Sequence, residues 1–334
     1  MMRARRSIAI IVLIAAVLMF LWAAYLFPPQ GVRELRVATL RGACGISFTE
    51  VMDALGIDKR VGLDVVMVPL EGVPVEVEAL LRGEVDLAIV PVEFLPPYIG
   101  RGAELRLLLL DMTQYQALVV RPGIGSLREL EGRTLGAFFP TSTYLSLKAY
   151  LLEAGLRITE RSPGRGEVAI VNIPVPALAD ALERGDVDGV ATIGPSTMIS
   201  LAKGGRLLAT FSQMYRGVGL RGAPPLITFI TTESKLRERG GAIETLLNAR
   251  SVAVREWESS DELVDKLYVE RCGLSRDMAN SYRRWLLDYI WRGGYLDDAV
   301  VTGITEYLTL LAKHGVIEIG PDRVPGVVNR LLGR

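Results

Sequence analysis

From residue 34 onward the apolar positions switch repeatedly between two patterns. Short runs rich in Val, Leu and Ile alternate with segments whose apolar residues return every three or four positions. The pattern predicts strands at 34–40, 63–70, 86–90 and 105–110, with helices at 46–55 and 73–81 between them. A β-like run at 114–120 ends in Arg121-Pro122-Gly123, a turn signal. The alternation then restarts, with strands at 134–139, 168–173, 189–193 and 207–211 and helices at 142–154, 176–182 and 196–202. A Gly- and Pro-rich break at 217–225 leads to another β-like run at 226–231. Beyond 234 the pattern is helical, roughly at 235–257, 261–270, 275–291 and 297–314. Apolar strands without polar alternation belong to parallel sheets covered on both faces, so the predicted class is α/β.

One phrase occurs twice within this pattern. Leu81-Arg-Gly-Glu-Val-Asp-Leu-Ala-Ile-Val90 and Glu183-Arg-Gly-Asp-Val-Asp-Gly-Val-Ala-Thr192 each read as a helix end, a Gly stop, a turn and a strand. The copies stand about one small domain apart, as expected for two similar Rossmann-like lobes. The β-like runs near residues 118 and 228 would be two hinge strands joining them. The expected organisation is 33–118 as the first part of lobe 1, 119–225 as lobe 2, and 226–334 as a return to lobe 1 with C-terminal helices. A single large domain with two ordinary sheet strands is the alternative. In both copies the Gly-acid-Val-Asp turn precedes its strand, which makes it scaffold and points to the opposite strand ends as the site.

The N-terminus adds a different signal. Arg3, Arg5 and Arg6 precede an uncharged run at 8–27, whose length at 1.5 Å per residue matches the roughly 30 Å of bilayer hydrocarbon. A cleaved signal peptide would have a shorter apolar core and small residues at its end. Here Trp22, Tyr25, Leu26 and Phe27 fill that place, and no lipid-accepting Cys follows. The run is therefore expected to stay as a transmembrane anchor, with a cleaved signal as the competing reading; in both, the body faces outward. Residues 1–30 are then anchor and linker, and no second segment is long and apolar enough to span.

Composition narrows the partners. The 334 residues carry zero formal net charge, so nothing points to nucleic acid. Scarce Asn and Gln, with Arg favoured over Lys, fit a thermophilic source or a biased genome equally. Cys44 and Cys272 are too few for a zinc knuckle; outside the cell they could pair, which their spacing leaves undecided. No metal or cofactor is expected.

Ligands of open parallel sheets bind beyond the carboxyl ends of the strands. Four such ends carry candidate residues: Arg41, Gly42, Ala43 and Cys44; Pro91 and Glu93; Thr141, Ser142, Thr143 and Tyr144; and Gly194, Ser196 and Thr197. The hydroxyls would serve as helix caps in any event. Helix starts also offer N–H groups and a positive dipole end to an anion, and Arg41 would add charge. Phe138, Phe139 and Tyr144 are ordinary core residues unless one stacks on a flat ligand. Asp86, Glu93, Asp297 and Asp298 read as solvated turn and helix-start residues, and His314 as a charge at a helix C-terminus. With a single histidine, no G-x-S-x-G and no phosphate-binding loop, the chain shows no catalytic apparatus.

These residues resemble the type II periplasmic binding proteins of ABC importers, in the group for nitrate, sulfonates, taurine and the thiamine pyrimidine precursor. The likeness is carried by Leu35-Arg-Val-Ala-Thr39, the two Gly-acid-Val-Asp phrases, Gln116-Ala-Leu-Val-Val120 and the stretch from Ile124 to Gly136. It implies two lobes closing on a small, anionic solute for delivery to an ABC permease in the membrane, by a monomer without catalysis. It also places ligand contacts at the four strand ends named above. The departures are the apparent anchor and the lack of the histidine and cysteine-rich stretch of the related pyrimidine-synthesising enzymes. A small-acid lyase or dehydratase on the same fold, with Glu93 as its acid/base, a binder of the pyrimidine precursor, and a sensory module signalling through the anchor are the alternatives.

Overall fold

The structure is a computed structural model that describes residues 33–41, 43–139, 141–159 and 161–334. The expected anchor and linker and Gly42 lie outside the described residues. Two mixed sheets make up the body. The first contains β1 (Arg33–Leu40), β2 (Leu63–Leu70), β3 (Leu87–Val90), β4 (Leu105–Thr113) and β11 (Pro225–Thr232), in the order β2-β1-β3-β11-β4. The second contains β5 (Ala117–Val120), β6 (Thr134–Ala137), β7 (Arg157–Thr159), β8 (Glu167–Asn172), β9 (Gly189–Thr192) and β10 (Arg206–Thr210), in the order β10-β5-β9-β6-β8-β7.

The sheets repeat one plan. β1 lies parallel to β2 and β3, and β11 runs against β3 and β4. Likewise β6 lies parallel to β8 and β9, and β5 runs against β9 and β10. The expectation of parallel sheets therefore needs correcting by one reversed strand in each. That strand is the first to enter its sheet after the chain has crossed from the other, so no helical crossover turns it into line. The runs expected as hinges are these reversed strands. The crossings themselves are 114–116 and 211–224, between β4 and β5 and between β10 and β11.

Helices cover the sheets: α1 (Phe48–Leu55), α2 (Val73–Leu81), α3 (Ser142–Glu153), α4 (Leu178–Arg184), α5 (Ser196–Ala202), α6 (Phe211–Gly217), α7 (Glu233–Ser259), α8 (Arg276–Leu287), α9 (Asp298–Lys313) and α10 (Val324–Leu331). β2 and α2 fall where the periodicity places them. The predicted strand at 207–211 is cut short because Thr210 caps α6, with Gln213 completing a capping box. The predicted helix at 275–291 stops at Leu287, and Ile290 instead bridges to Met112 of β4. At 261–270 the helix continues as a π-helical stretch, Val264–Arg271.

The repeated phrase has one geometry in both places. Gly83 and Gly185 take φ of 77° and 78°, which glycine adopts without strain. Their N–H groups return to Leu80 and Leu182, and those of Glu84 and Asp186 to Ala79 and Ala181, closing each helix in a Schellman turn. Asp86, expected to be solvated, is buried.

One buried cluster runs from Val77 and Leu80 through Ile304 and Leu308 to Leu135 and Leu147, and so joins the two sheets. A second packs Leu35 and Val37 against Phe48, Trp257 and Tyr282. Helix α9 touches elements of both sheet units. The Tyr307 hydroxyl donates to Glu93 Oε1 at 3.1 Å and lies 2.6 Å from Ser146 Oγ. At the C-terminal end of α9, Lys313 and His314 reach Glu153 of α3 at 2.8 and 2.6 Å.

Candidate ligand cleft

The loop after β1 is held from several sides. Cys44 and Cys272 form a disulfide, with Cα atoms 5.8 Å apart. Tyr282 and Tyr268 donate hydroxyl hydrogen bonds to the carbonyls of Cys44 (3.3 Å) and Gly45 (3.2 Å). Gly45 has φ of 68°, and a Cβ there would collide with the Tyr268 ring. The Glu50 carboxylate accepts the N–H groups of Gly45, Ile46 and Ser47 at 2.9, 2.9 and 3.1 Å. Burial raises the Glu50 carboxyl above its ordinary range, while these bonds draw it back. Next in line, the Phe48 N–H goes to Asp111 Oδ2 at 3.0 Å, and Asp111 pairs with Arg250 at 2.8 Å. The donors at this helix start are thus occupied by carboxylates of the chain itself, a pattern that spacing along the sequence does not reveal.

The second strand end leads away from solvent. Pro91 opens a single 3₁₀ turn, Val92–Phe94, and Glu93 within it is buried, with its carboxyl pushed up to about 7. Burial is the main cause; the Ser142 and Tyr307 hydroxyls oppose it. At the third end Thr141 donates to the Phe138 carbonyl at 2.6 Å instead of capping α3. Ser142 accepts from Gln116 at 3.4 Å, and Thr143 is buried. Tyr144 stacks on Phe139, ring centroids 4.2 Å apart. At the fourth end Ser196 closes on the Ile193 carbonyl (2.6 Å) and Thr197 on Thr192 (2.9 Å). Gly194 between them takes φ of 64°.

A cavity of about 410 Å³ opens between the carboxyl ends of the two sheets. Of the residues predicted from the sequence, Arg41, Ala43, Thr141, Gly194 and Ser196 line it. Pro91, Glu93, Ser142, Thr143, Tyr144 and Thr197 do not, because the turns after β3 and β9 and at the start of α3 fold their side chains into the body. Cys44 is committed to its disulfide. Several lining residues escape the sequence reading: Leu40, Glu71, Tyr115, the run Pro174-Val175-Pro176, Ala179, Ile193, Pro195 and Ile199; Phe138, expected as core unless it stacks on a flat ligand, lines the cleft as well. Glu71 and 174–176 follow β2 and β8, so the strand-end rule, applied to every strand, would have reached them. Tyr115 belongs to the first crossing. Arg41 forms an exposed ion pair with Glu71 and also donates to the Pro69 carbonyl. Glu71, not Glu93, is the carboxylate at this cleft. Among the described residues no cluster of His, Cys, Asp or Glu could hold a metal ion.

Known proteins share this arrangement. The NMT1-like family model matches residues 29–262. A taurine-binding periplasmic protein of Escherichia coli (strain K12) is 30% identical over 156 residues, 46% of this chain and 45% of the relative. The match therefore spans less than half of that relative's length. Among solved structures, the periplasmic aliphatic sulphonate binding protein SsuA of Escherichia coli superposes with a TM-score of 0.69 at 17% identity, covering 87% of this chain and 91% of that one. The periplasmic nitrate-binding protein NrtA of Synechocystis PCC 6803 gives 0.64 at 13% identity, over 89% and 85%. These likenesses show the fold of the type II periplasmic binding proteins.

Proposed function

The chain belongs to the NMT1-like family, and from that premise we propose that it is the solute-binding component of an ABC importer, capturing a small organic solute outside the cell. The observation that carries this reading is the cleft itself. Its walls come from the carboxyl ends of strands in two separate sheets, and two crossings, 114–116 and 211–224, join those sheets. Rotation about the crossings would close one sheet unit over a bound solute, which then passes to a membrane permease. Capture and release need no chemical step. Arg41 supports an anionic group on the solute, as do the sulphonate, nitrate and taurine named for similar proteins. The uncharged run at 8–27 supports tethering by a single helix. Among the described residues no helix is long and apolar enough to cross a membrane.

The lyase or dehydratase reading loses its expected acid/base, since Glu93 lies buried beside Tyr307 and away from the cleft. Thermal-shift measurement on the full-length chain against sulfonates, carboxylates, nitrate and pyrimidines tests the proposal. A true ligand at a hundred times its Kd stabilises by about 2.7 kcal/mol. If no solute stabilises the chain, the binding role fails. Membrane fractionation of cells producing the intact chain tests the tether, which requires the protein in the membrane pellet.

A further inference from the structure

The lining of the cleft carries chemical information beyond its position. Its polar side chains are few, and most of them are already engaged. Arg41 is paired with Glu71, Thr141 and Ser196 donate to backbone carbonyls, and the N–H groups of 45–48 go to Glu50 and Asp111. At the start of α1, a compact oxyanion therefore finds the backbone donors already occupied.

What the cleft offers freely is apolar surface. Leu40, Val175, Ile193 and Ile199 are half-buried in its walls, and Pro174 and Pro176 stand exposed beside them. Phe138 is the most telling. Its neighbour Phe139 is stacked on Tyr144 and packed against the core. Among the described residues Phe138 joins none of the buried clusters, and it stays half-buried in the cleft wall. A ring left out of the core, facing a prolyl and aliphatic wall, is a surface for another flat or branched apolar body.

We propose that the solute carries a substantial apolar body, a ring or branched hydrocarbon, packed between Phe138 and the 174–176 wall, with a single polar head group at Arg41. Phe138 is then the residue that sets specificity, and the head group binds by replacing Glu71 as the partner of Arg41. This inference rests on the cleft being the ligand site, as argued under Proposed function.

The test is calorimetric titration of the full-length chain with four probes: nitrate, methanesulfonate, taurine and benzenesulfonate. Benzenesulfonate is expected to bind about tenfold or more tightly than methanesulfonate, since the two share a head group and differ in apolar bulk. Phe138→Ala is expected to remove most of that gap, weakening benzenesulfonate far more than methanesulfonate. Ile199→Ala provides a second variant on the facing wall, expected to act the same way more weakly. Equal or tighter binding of nitrate, methanesulfonate or taurine overturns the inference and leaves the binding role intact. A gap that survives both substitutions also overturns it. Failure of all four probes to bind overturns the assignment of the cleft, and this inference with it.

Discussion

Asp86 and Asp188 occupy equivalent positions in the two sheets. Asp86 Oδ2 accepts the Arg36 N–H at 2.9 Å while its own N–H goes to the Arg36 carbonyl; Asp188 does the same with Thr134, at 3.0 Å. Each carboxylate thus locks the turn of the repeated phrase to the adjacent parallel strand, β1 or β6. Their second oxygens differ: Asp86 pairs with Lys235 at 3.0 Å and Asp188 with Arg121 at 2.7 Å. Asp86 is nearly inaccessible, and Asp188 lies nearer to solvent. Asp86→Ala should therefore destabilise by about 3 kcal/mol, leaving Lys235 poorly paired. Asp188→Ala should cost about 1–2 kcal/mol. Urea denaturation measures both, and an Asp188 effect larger than that of Asp86 would contradict the assignment. Neither substitution should change solute affinity.

The disulfide joins residues 228 apart in sequence. In the loop-entropy account such a link is worth up to about 5 kcal/mol. Reduction, or replacement of Cys44 and Cys272 by Ala, should lower Tm by several degrees. An unchanged Tm would show that the tyrosine and Glu50 contacts hold the loop without it.

Glu76 of α2 is buried, with neither carboxylate oxygen hydrogen-bonded among the described residues, and burial pushes its carboxyl up to about 8. A folded-state value above the unfolded one means that the folded chain keeps a proton which the unfolded chain releases. Stability from the neutral form is complete below about pH 4.5 and is lost as pH rises towards 8, at up to about 1.4 kcal/mol per unit. Glu76→Gln should flatten this fall and make the protein more stable than the parent at pH 8. A parallel pH profile in the two proteins would exclude Glu76 as its source.

Glu71 holds Arg41 in an exposed ion pair, worth only about 0.2–1 kcal/mol. Glu71→Gln should release Arg41 and tighten an anionic probe such as benzenesulfonate about two- to fivefold. Weaker binding would instead make Glu71 a direct partner of the solute.

Gly303 and Gly222 meet backbone to backbone, where α9 crosses the second connection between the sheets; a Cβ on Gly303 would run into the Ala223 carbonyl. Gly303→Ala should force the two apart and destabilise by about 2 kcal/mol or more. A stability equal to that of the parent would mean that this contact can relax freely.

The sequence by itself determined the alternation of elements, the doubled plan and the strand ends between which the cleft opens. Those depend on local periodicity and on glycines such as Gly83 and Gly185, whose backbone geometry is set within a few residues. It also pointed to five cleft residues, because Arg41, Ala43, Thr141, Gly194 and Ser196 directly follow strands. Tertiary structure decided the rest. Which strand runs backwards in each sheet depends on where the chain crosses, and α9 bridges both units through Tyr307 contacts more than 150 residues away in sequence. It turned Glu93 inward and brought Glu71 to the cleft. It also spent the helix donors of 45–48 on Glu50 and Asp111, the latter reached only through the fold. Periodicity marks which residues are apolar and where strands end. Which donors remain free for a ligand depends on distant side chains that only packing brings together.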